Sequence, residues 1–265
     1  MNHSVNILRL HESVEPLMRE VGRFQLSLFR TDNLNVQVKA DGSYVCNADL
    51  HSEQMLKECL HSILPEAAFF AEESGKSGQG AYQWVIDPLD GTTNYVRGIP
   101  YFAISVALTY NGNSIWGAVF NPVANDFFYA IKDHGAYCNG KRLILNRVAN
   151  FNKTLIIVGF PYIKEAGYKN ILNHLPQIAL HSYAFRHLGA AALDQAYLAC
   201  GAADGLLFCQ LGWWDVAAGM LLVTEAGGQV SDFQGNLISE GYQSFVAGEV
   251  EIHRALLDIL KIGSS

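Results

Sequence analysis

The chain has 265 residues, of which 50% are hydrophobic and 16% charged, with a formal net charge of −7 at pH 7. These values indicate a soluble globular protein with one large domain or two closely packed ones. They argue against a nucleic-acid backbone as the main partner, because no dense Lys/Arg patch is visible. No apolar run reaches the roughly 18 residues of a membrane span and no signal peptide is visible, so we expect a cytoplasmic protein.

The cysteine pattern favours idle thiols over a zinc site or a disulfide framework. The five cysteines are odd in number and widely scattered, and none forms a C-x-x-C pair. We therefore expect free thiols in a reducing compartment.

Apolar residues at helical spacing predict an amphipathic helix over the first 30 residues. Alternation at 36–38 predicts a short strand, and the Asp-Gly pair at 41–42 predicts a tight turn. A second helix is predicted from Asp49 to the residue before Pro65, with Asp49 as its N-cap.

The middle third predicts an antiparallel meander. The glycine-rich stretch 75–80 is expected to be a flexible loop before an apolar strand that begins near Trp84. Three further apolar runs follow at 102–110, 114–120 and 126–131, separated by Asn-Gly and Asn-Pro turns.

After residue 150 the pattern changes to an alternation of strands and helices. Two strands and two helices are predicted, at 155–158, 189–201, 204–208 and 215–226 in chain order. We therefore divide the chain into an α+β half (1–150) and an α/β half (151–265) that together form one catalytic unit.

The most informative stretch runs from Trp84 to Tyr95. Asp87 and Asp90 end an apolar strand and are followed directly by Gly91 and two threonines. Magnesium is usually held by a few carboxylates together with phosphate oxygens, so the run suits a metal beside a phosphate. Taken alone it could also be an ordinary turn, since Asp, Pro and Gly are common turn formers.

Two further acidic clusters follow apolar runs. Glu72 and Glu73 come after one such run, and Asp215 follows Trp213 and Trp214. Each acid alone could be a solvated loop residue or an N-cap. If several converged they would repel one another, and a bound cation would relieve that repulsion.

These motifs resemble the signatures of the inositol monophosphatase family over nearly the whole chain. The segments are Glu72-Glu73-Ser74, Asp87 to Asn94, Trp214 to Gly219 and Glu225 to Gly228. The resemblance implies a layered α-β-α-β-α sandwich of the inositol monophosphatase / fructose-1,6-bisphosphatase type. It also implies a phosphomonoesterase that uses two or three Mg²⁺ ions, is inhibited by lithium and forms a homodimer.

The resemblance also implies roles for individual residues. The metal ligands would be Glu72, Asp87, the carbonyl of Leu89, Asp90 and Asp215. The catalytic groups that activate water would be Glu72, Asp49 and Thr92. The phosphate would be bound by Gly91, Thr92 and Lys39, and the rest of the substrate by Asp90, Ala191, Phe208 and Asp215.

The chain departs from the family pattern near the second predicted helix. Ser43 stands at a position that is usually acidic, and Cys46 stands at a position that is usually threonine. Asp41 either replaces the missing acid or only shapes the 41–42 turn. This departure bears on the weakest metal site.

A second departure bears on the substrate. Phe208 stands where family members carry a glutamate that contacts substrate hydroxyls, and an aromatic ring cannot accept those hydrogen bonds. The expected partner is a small phosphorylated metabolite. Inositol 1-phosphate therefore competes with histidinol phosphate, fructose 1,6-bisphosphate and 3′-phosphoadenosine phosphates. A regulatory protein-binding factor associated with the transcription machinery is the alternative from another class, with no direct nucleic-acid contact expected.

Overall fold

A computed structural model describes residues 5–145, 150–160, 166–242 and 244–262. The helices in these ranges are α1 Ile7–Leu28, α2 Asn47–Ile63, α3 Thr92–Val96, α4 Ala166–His181, α5 Ala191–Ala199, α6 Trp213–Glu225 and α7 Val250–Ile262. The strands of the N-terminal part are β1 Val36–Val38, β2 Tyr44–Cys46, β3 Ala68–Ala71, β4 Gly75–Ser77, β5 Tyr82–Asp90, β6 Ala103–Tyr110, β7 Asn113–Asn121, β8 Asp126–Ile131, β9 Gly135–Cys138 and β10 Lys141–Arg142. The remaining strands are β11 Leu155–Val158, β12 Ala184–Arg186, β13 Gly205–Cys209, β14 Gln229–Ser231 and β15 Ser244–Gly248.

The elements stack in five layers, α-β-α-β-α, which confirms the predicted fold class. An eight-stranded sheet has the order β10-β9-β8-β7-β6-β5-β3-β4, and a five-stranded sheet has the order β12-β11-β13-β15-β14. α1 and α2 cover the outer face of the first sheet. α5 and α6 pack between the two sheets, and α4 and α7 cover the outer face of the second.

The central strands of the first sheet are buried on both faces. β6 is buried from Ala103 to Thr109, and β5 from Trp84 to Asp90. A strand covered by helices on both sides reads as a continuous apolar run instead of an alternating one. For that reason the acids that end β5 lie inside the protein.

Most of the predicted elements are confirmed, including the opening helix, the meander β6-β7-β8 and the strand β11. Two expectations for the N-terminal half were wrong in detail. The stretch 75–80 is not simply a loop, because Gly75–Ser77 forms β4 and pairs with β3. The helix α2 begins at Asn47, so Asp49 lies in its first turn and Cys46 takes the N-cap position. The division of the chain at residue 150 stays a prediction.

Two other expectations concern the cysteines and membrane insertion. All five cysteines are free thiols, as their spacing predicted. Within the described ranges, no helix combines the length and apolar character needed to cross a membrane.

The helix α6 lies against the first sheet at Gly117 of β7. A Cβ added at Gly117 would come within 2.9 Å of the Ala218 Cα, which leaves no room for a side chain. We predict that Gly117→Ala lowers the free energy of unfolding by about 1–3 kcal/mol, because the layers must separate to accept the methyl group. The measurement is the urea midpoint at an unchanged m value.

The matched control is Asn113→Ala, at the exposed end of the same strand. That change should alter the free energy of unfolding by no more than about 0.5 kcal/mol. Equal midpoints for the two variants would contradict the close packing of α6 on β7.

Candidate active site

A cleft of about 500 Å³ opens where the end of β5 meets the first turns of α5 and α6. Residues that are distant in the chain line it together, among them four of the predicted metal ligands: Glu72, Asp87, Asp90 and Asp215. The predicted contacts Leu89, Gly91, Thr92, Ala191 and Phe208 also line this cleft. Asp49 and Lys39 reach it through hydrogen bonds to Thr92 and Glu72.

The chain turns sharply at the end of β5. The pairing register with β6 shifts between Asp87 and Asp90, and the Leu89 N–H donates to Asp87 Oδ1 at 3.0 Å. Gly91 then adopts a φ of +90°, and a Cβ there would lie 3.1 Å from the Tyr101 carbonyl oxygen. Only glycine fits this conformation and this close approach, so Gly91 allows α3 to begin directly at the cleft.

Asp90 caps a helix from another part of the chain. Its carboxylate accepts hydrogen bonds from the N–H groups of Ala191, Ala192 and Leu193, at 2.8, 2.8 and 3.1 Å. These are donors in the first turn of α5 that lack partners within the helix. Burial raises the pKa of Asp90 to about 7, although the three N–H groups act in the opposite direction. Asp90 thus fixes α5 and Ala191 to the end of β5.

Asp215 lies in the first turn of α6 and does not open the helix as predicted. The helix begins at Trp213, and the Asp215 carboxylate accepts the Gly212 N–H at 2.6 Å. The Asp215 carbonyl accepts a hydrogen bond from Gln195 Nε2 on α5 at 2.8 Å. These two contacts hold the carboxylate at the cleft.

Asp87, Asp90 and Asp215 form one cluster, with an oxygen atom from each lying within 4.8 Å of the others; Asp87 and Asp90 are buried and Asp215 is partly buried. Burial, together with repulsion from Glu72 and the other two aspartates, raises the pKa of Asp87 well above its ordinary value. Burial and the charges of Glu72 and Asp90 raise the pKa of Asp215 in the same way. A set made only of carboxylate oxygens at this spacing fits a hard divalent cation, which would remove the repulsion.

Glu72 already has one cation beside it. Lys39 Nζ donates to Glu72 at 2.8 Å and to Glu73 at 2.6 Å. Burial acts to lower the pKa of Lys39, but the two glutamates raise it overall, so the ammonium stays charged. Lys39, predicted to bind phosphate, is held at the acidic end of the site.

Thr92 and Asp49 form the second polar group of the site. The Thr92 hydroxyl lies 2.8 Å from Asp49 Oδ1 and 3.0 Å from the Leu89 carbonyl oxygen. The other oxygen of Asp49 accepts from the Cys46 N–H at 2.8 Å and from the Cys46 thiol at 2.9 Å. Burial raises the pKa of Cys46 to about 12, so the thiol keeps its proton and donates it in the hydrogen bond to Asp49.

Asp41 shapes the turn before β2. Its Oδ1 accepts both the Ser43 N–H at 3.0 Å and the Ser43 hydroxyl at 2.7 Å. These hydrogen bonds lower the pKa of Asp41. Both residues line the cleft, and a metal-binding role for Asp41 stays a prediction.

Sequence reasoning missed several residues of the cleft. Asp194 on α5 is 1% exposed and accepts the Tyr101 hydroxyl at 2.6 Å. Phe160 and His187 also line the cleft. The only sequence signal for Asp194 was an acid inside the predicted alanine-rich helix at 189–201.

Phe208 lies at the floor of the cleft. Its ring is 1% exposed and packs against Gly159, where an added Cβ would come within 2.1 Å of the ring. The position predicted to contact substrate hydroxyls therefore presents carbon to the cleft and offers no carboxylate.

Comparison with known proteins gives one consistent set of relatives. The sequence profile of the inositol monophosphatase family matches residues 10–261. An inositol-1-monophosphatase of Mesorhizobium japonicum is 37% identical over 92% of this chain and 90% of its own length. The Nus factor SuhB of Pseudomonas aeruginosa is 39% identical over 89% of each chain. The crystal structure of the extragenic suppressor protein suhB from Bartonella henselae has a TM-score of 0.91 at 32% identity, covering 96% of this chain and 98% of its own.

The acidic cluster predicts a characteristic stability response to magnesium. We expect Mg²⁺ at about 100 times its Kd to raise the free energy of unfolding by about 2.7 kcal/mol, because the folded site binds the ion and the unfolded chain does not. Asp215→Asn should abolish most of this gain. It should not lower stability in metal-free buffer, because the amide oxygen can still accept the Gly212 N–H while one repelling charge is removed.

The control for this titration is Asp258→Asn, which removes an exposed acid of α7. That variant should keep the full magnesium response in thermal or urea unfolding. A response in Asp215→Asn equal to that of the unaltered chain would contradict the assignment of the cluster as a cation site.

Proposed function

Because this chain belongs to the inositol monophosphatase family and is a phosphatase, we propose that it is a magnesium-dependent phosphomonoesterase acting on a small phosphate ester. The observation that carries the proposal is the convergence of Asp87, Asp90 and Asp215 beside Gly91 and Thr92. Acids from two distant segments of the chain lie together beside Gly91. Because Gly91 has no side chain, the backbone there can approach a phosphate closely.

The proposed metal ligands are Glu72, Asp87, the Leu89 carbonyl, Asp90 and Asp215, for two or three Mg²⁺ ions. Bound magnesium would lower the pKa of a water molecule and stabilise the leaving alkoxide. The protein's own part is to hold these oxygens in place. The amides at the start of α5 fix Asp90, and the amide of Gly212 fixes Asp215.

Thr92 and Asp49 are proposed to orient the attacking water together with Glu72. When the Thr92 hydroxyl donates a hydrogen bond to Asp49, the Thr92 oxygen can still accept a hydrogen bond from water. The contacts from Cys46 hold Asp49 in this position. The water proton can then pass through Thr92 to Asp49 as the oxygen attacks phosphorus.

We propose that the phosphate lies against the N–H groups of Gly91 and Thr92. The φ of +90° at Gly91 lets the backbone turn from the end of β5 directly into α3 at this point. Lys39 would add positive charge at the same end of the cleft. Its ammonium is bonded to Glu72, so it lies next to the proposed metal ligands.

Inositol 1-phosphate is the first ester to test, because relatives 34–37% identical are named inositol-1-monophosphatase. The same-fold alternatives are histidinol phosphate, fructose 1,6-bisphosphate and 3′-phosphoadenosine phosphates. We further propose a cytoplasmic homodimer that lithium inhibits, as the family resemblance implies.

A second candidate function is a regulatory protein-binding role associated with the transcription machinery. It is favoured by relatives 34–39% identical that are named Nus factor SuhB. The two functions are separable by experiment, because a variant without phosphatase activity should keep any regulatory role that depends on the protein surface.

The direct test is phosphate release from these esters with and without Mg²⁺, in the unaltered chain and in Asp90→Asn. We predict that Asp90→Asn lowers kcat by at least about 100-fold, because a charge that holds the metal is lost. Circular dichroism should show that the fold persists, since an amide oxygen can still accept α5 N–H groups. Turnover near that of the unaltered chain would contradict the mechanism.

The role of the Thr92 hydroxyl is tested by a matched pair of variants. Thr92→Val is nearly isosteric but removes the hydroxyl, and should lower kcat by about 10²–10⁴-fold with little change in KM. Thr92→Ser keeps the hydroxyl and should retain most of kcat. An equal loss of kcat in the two variants would show that Thr92 acts through packing and not through proton transfer.

A further inference from the structure

The cleft has two chemically different sides. One side carries Asp87 and Asp90 at the end of β5 and Asp215 in the first turn of α6. Asp194 of α5 also lines the cleft, where its carboxylate accepts the Tyr101 hydroxyl. The other side is formed by the cleft-lining residues of 159–160, 187–191 and 208–212, which we term the apolar wall. These stretches contain no Asp, Glu, Lys or Arg. If phosphate lies at the acidic side, as proposed above, the alcohol lies against the apolar wall.

Phe208 is fixed within the apolar wall. Its ring fills the space above Gly159, which has no side chain, and it packs against Phe245 at 5.9 Å between ring centroids. A ring held in this way cannot turn aside to expose a polar group. The floor beneath the alcohol is therefore carbon.

Phe160 and His187 form an edge-to-face pair at the rim of the wall. Their ring centroids are 5.3 Å apart with an interplanar angle of 72°. His187 Nδ1 lies 3.0 Å from the Val158 carbonyl oxygen. Because a carbonyl can only accept, Nδ1 carries the proton, and Nε2 is the remaining polar atom of the ring. The pair offers flat carbon surface and one ring nitrogen.

A polyol suits such a wall poorly. Each hydroxyl that leaves water needs a new hydrogen-bond partner, and the wall supplies few: the His187 ring, the Gln210 amide and backbone groups. The Asp194 carboxylate, which also lines the cleft, already accepts the Tyr101 hydroxyl. A flat aromatic ring needs little hydrogen bonding and gains from stacking on aromatic side chains.

We propose that the alcohol part of the substrate carries a flat aromatic or heteroaromatic ring, and that Phe160 is a specificity-determining residue that packs against it. The inference rests on the proposed phosphatase function. It assigns the substrate class from the chemistry of the apolar wall. It predicts a lower kcat/KM for polyol phosphates than for esters that carry a ring.

The test compares three esters in the presence of Mg²⁺: adenosine monophosphate, inositol 1-phosphate and glycerol 1-phosphate. We expect kcat/KM of the unaltered chain to be at least about tenfold higher for adenosine monophosphate than for inositol 1-phosphate. Phe160→Ala should lower kcat/KM for adenosine monophosphate about tenfold more than for glycerol 1-phosphate, mainly through KM.

The matched control is Phe151→Ala. Phe151 is also a partly buried phenylalanine packed against the same core of the second sheet, but it does not line the cleft. This variant should keep the order of the three esters. It separates loss of the ring contact from general loosening of that core.

A binding measurement keeps the inference independent of turnover. Calorimetry with adenosine and with inositol, in the presence of Mg²⁺ and inorganic phosphate, should give the lower Kd for adenosine, and Phe160→Ala should remove the difference. Equal or tighter binding of inositol, or a uniform loss on all esters in Phe160→Ala, would overturn the inference. If no ester released phosphate, the proposed function would fail, and the binding result would still decide the inference.

Discussion

The structure depends on the burial of mutually repelling carboxylates at the junction of the two sheets. Asp87, Asp90 and Asp215 each place an oxygen within 4.8 Å of the others, with Asp87 and Asp90 buried and Asp215 partly buried. Burial and repulsion raise the pKa of each. A folded chain keeps such a cluster only where other groups hold it in place, and a bound cation is the partner that would balance its charge.

Helix first turns provide much of that support. Asp90 accepts three N–H groups of α5, while Asp215 and Asp49 each accept an N–H at the start of their own helices. The donors that a helix leaves unpaired at its N-terminal end are used to fix acids. The same contacts join α5 to β5, so the middle helical layer and the site are held by one set of bonds.

Part of this site could be predicted from the sequence. The run from Asp87 to Thr92 is local, so its strand, its turn and its acids were all visible in order. The helical position of Asp215 was misjudged by two residues, because a capping acid in the first turn resembles an N-cap in sequence. Phe160 and His187 could not be assigned, since only the pairing of β11 with β12 and β13 brings them to the cleft.

The central claim is that the buried acids form a cation site. Its most direct test is a crystal structure of the protein grown with Mn²⁺ in place of Mg²⁺, with anomalous diffraction recorded to locate manganese. We expect an anomalous peak within bonding distance of carboxylate oxygens of Asp87, Asp90 and Asp215. Manganese bound elsewhere with no peak between these three residues would contradict the claim.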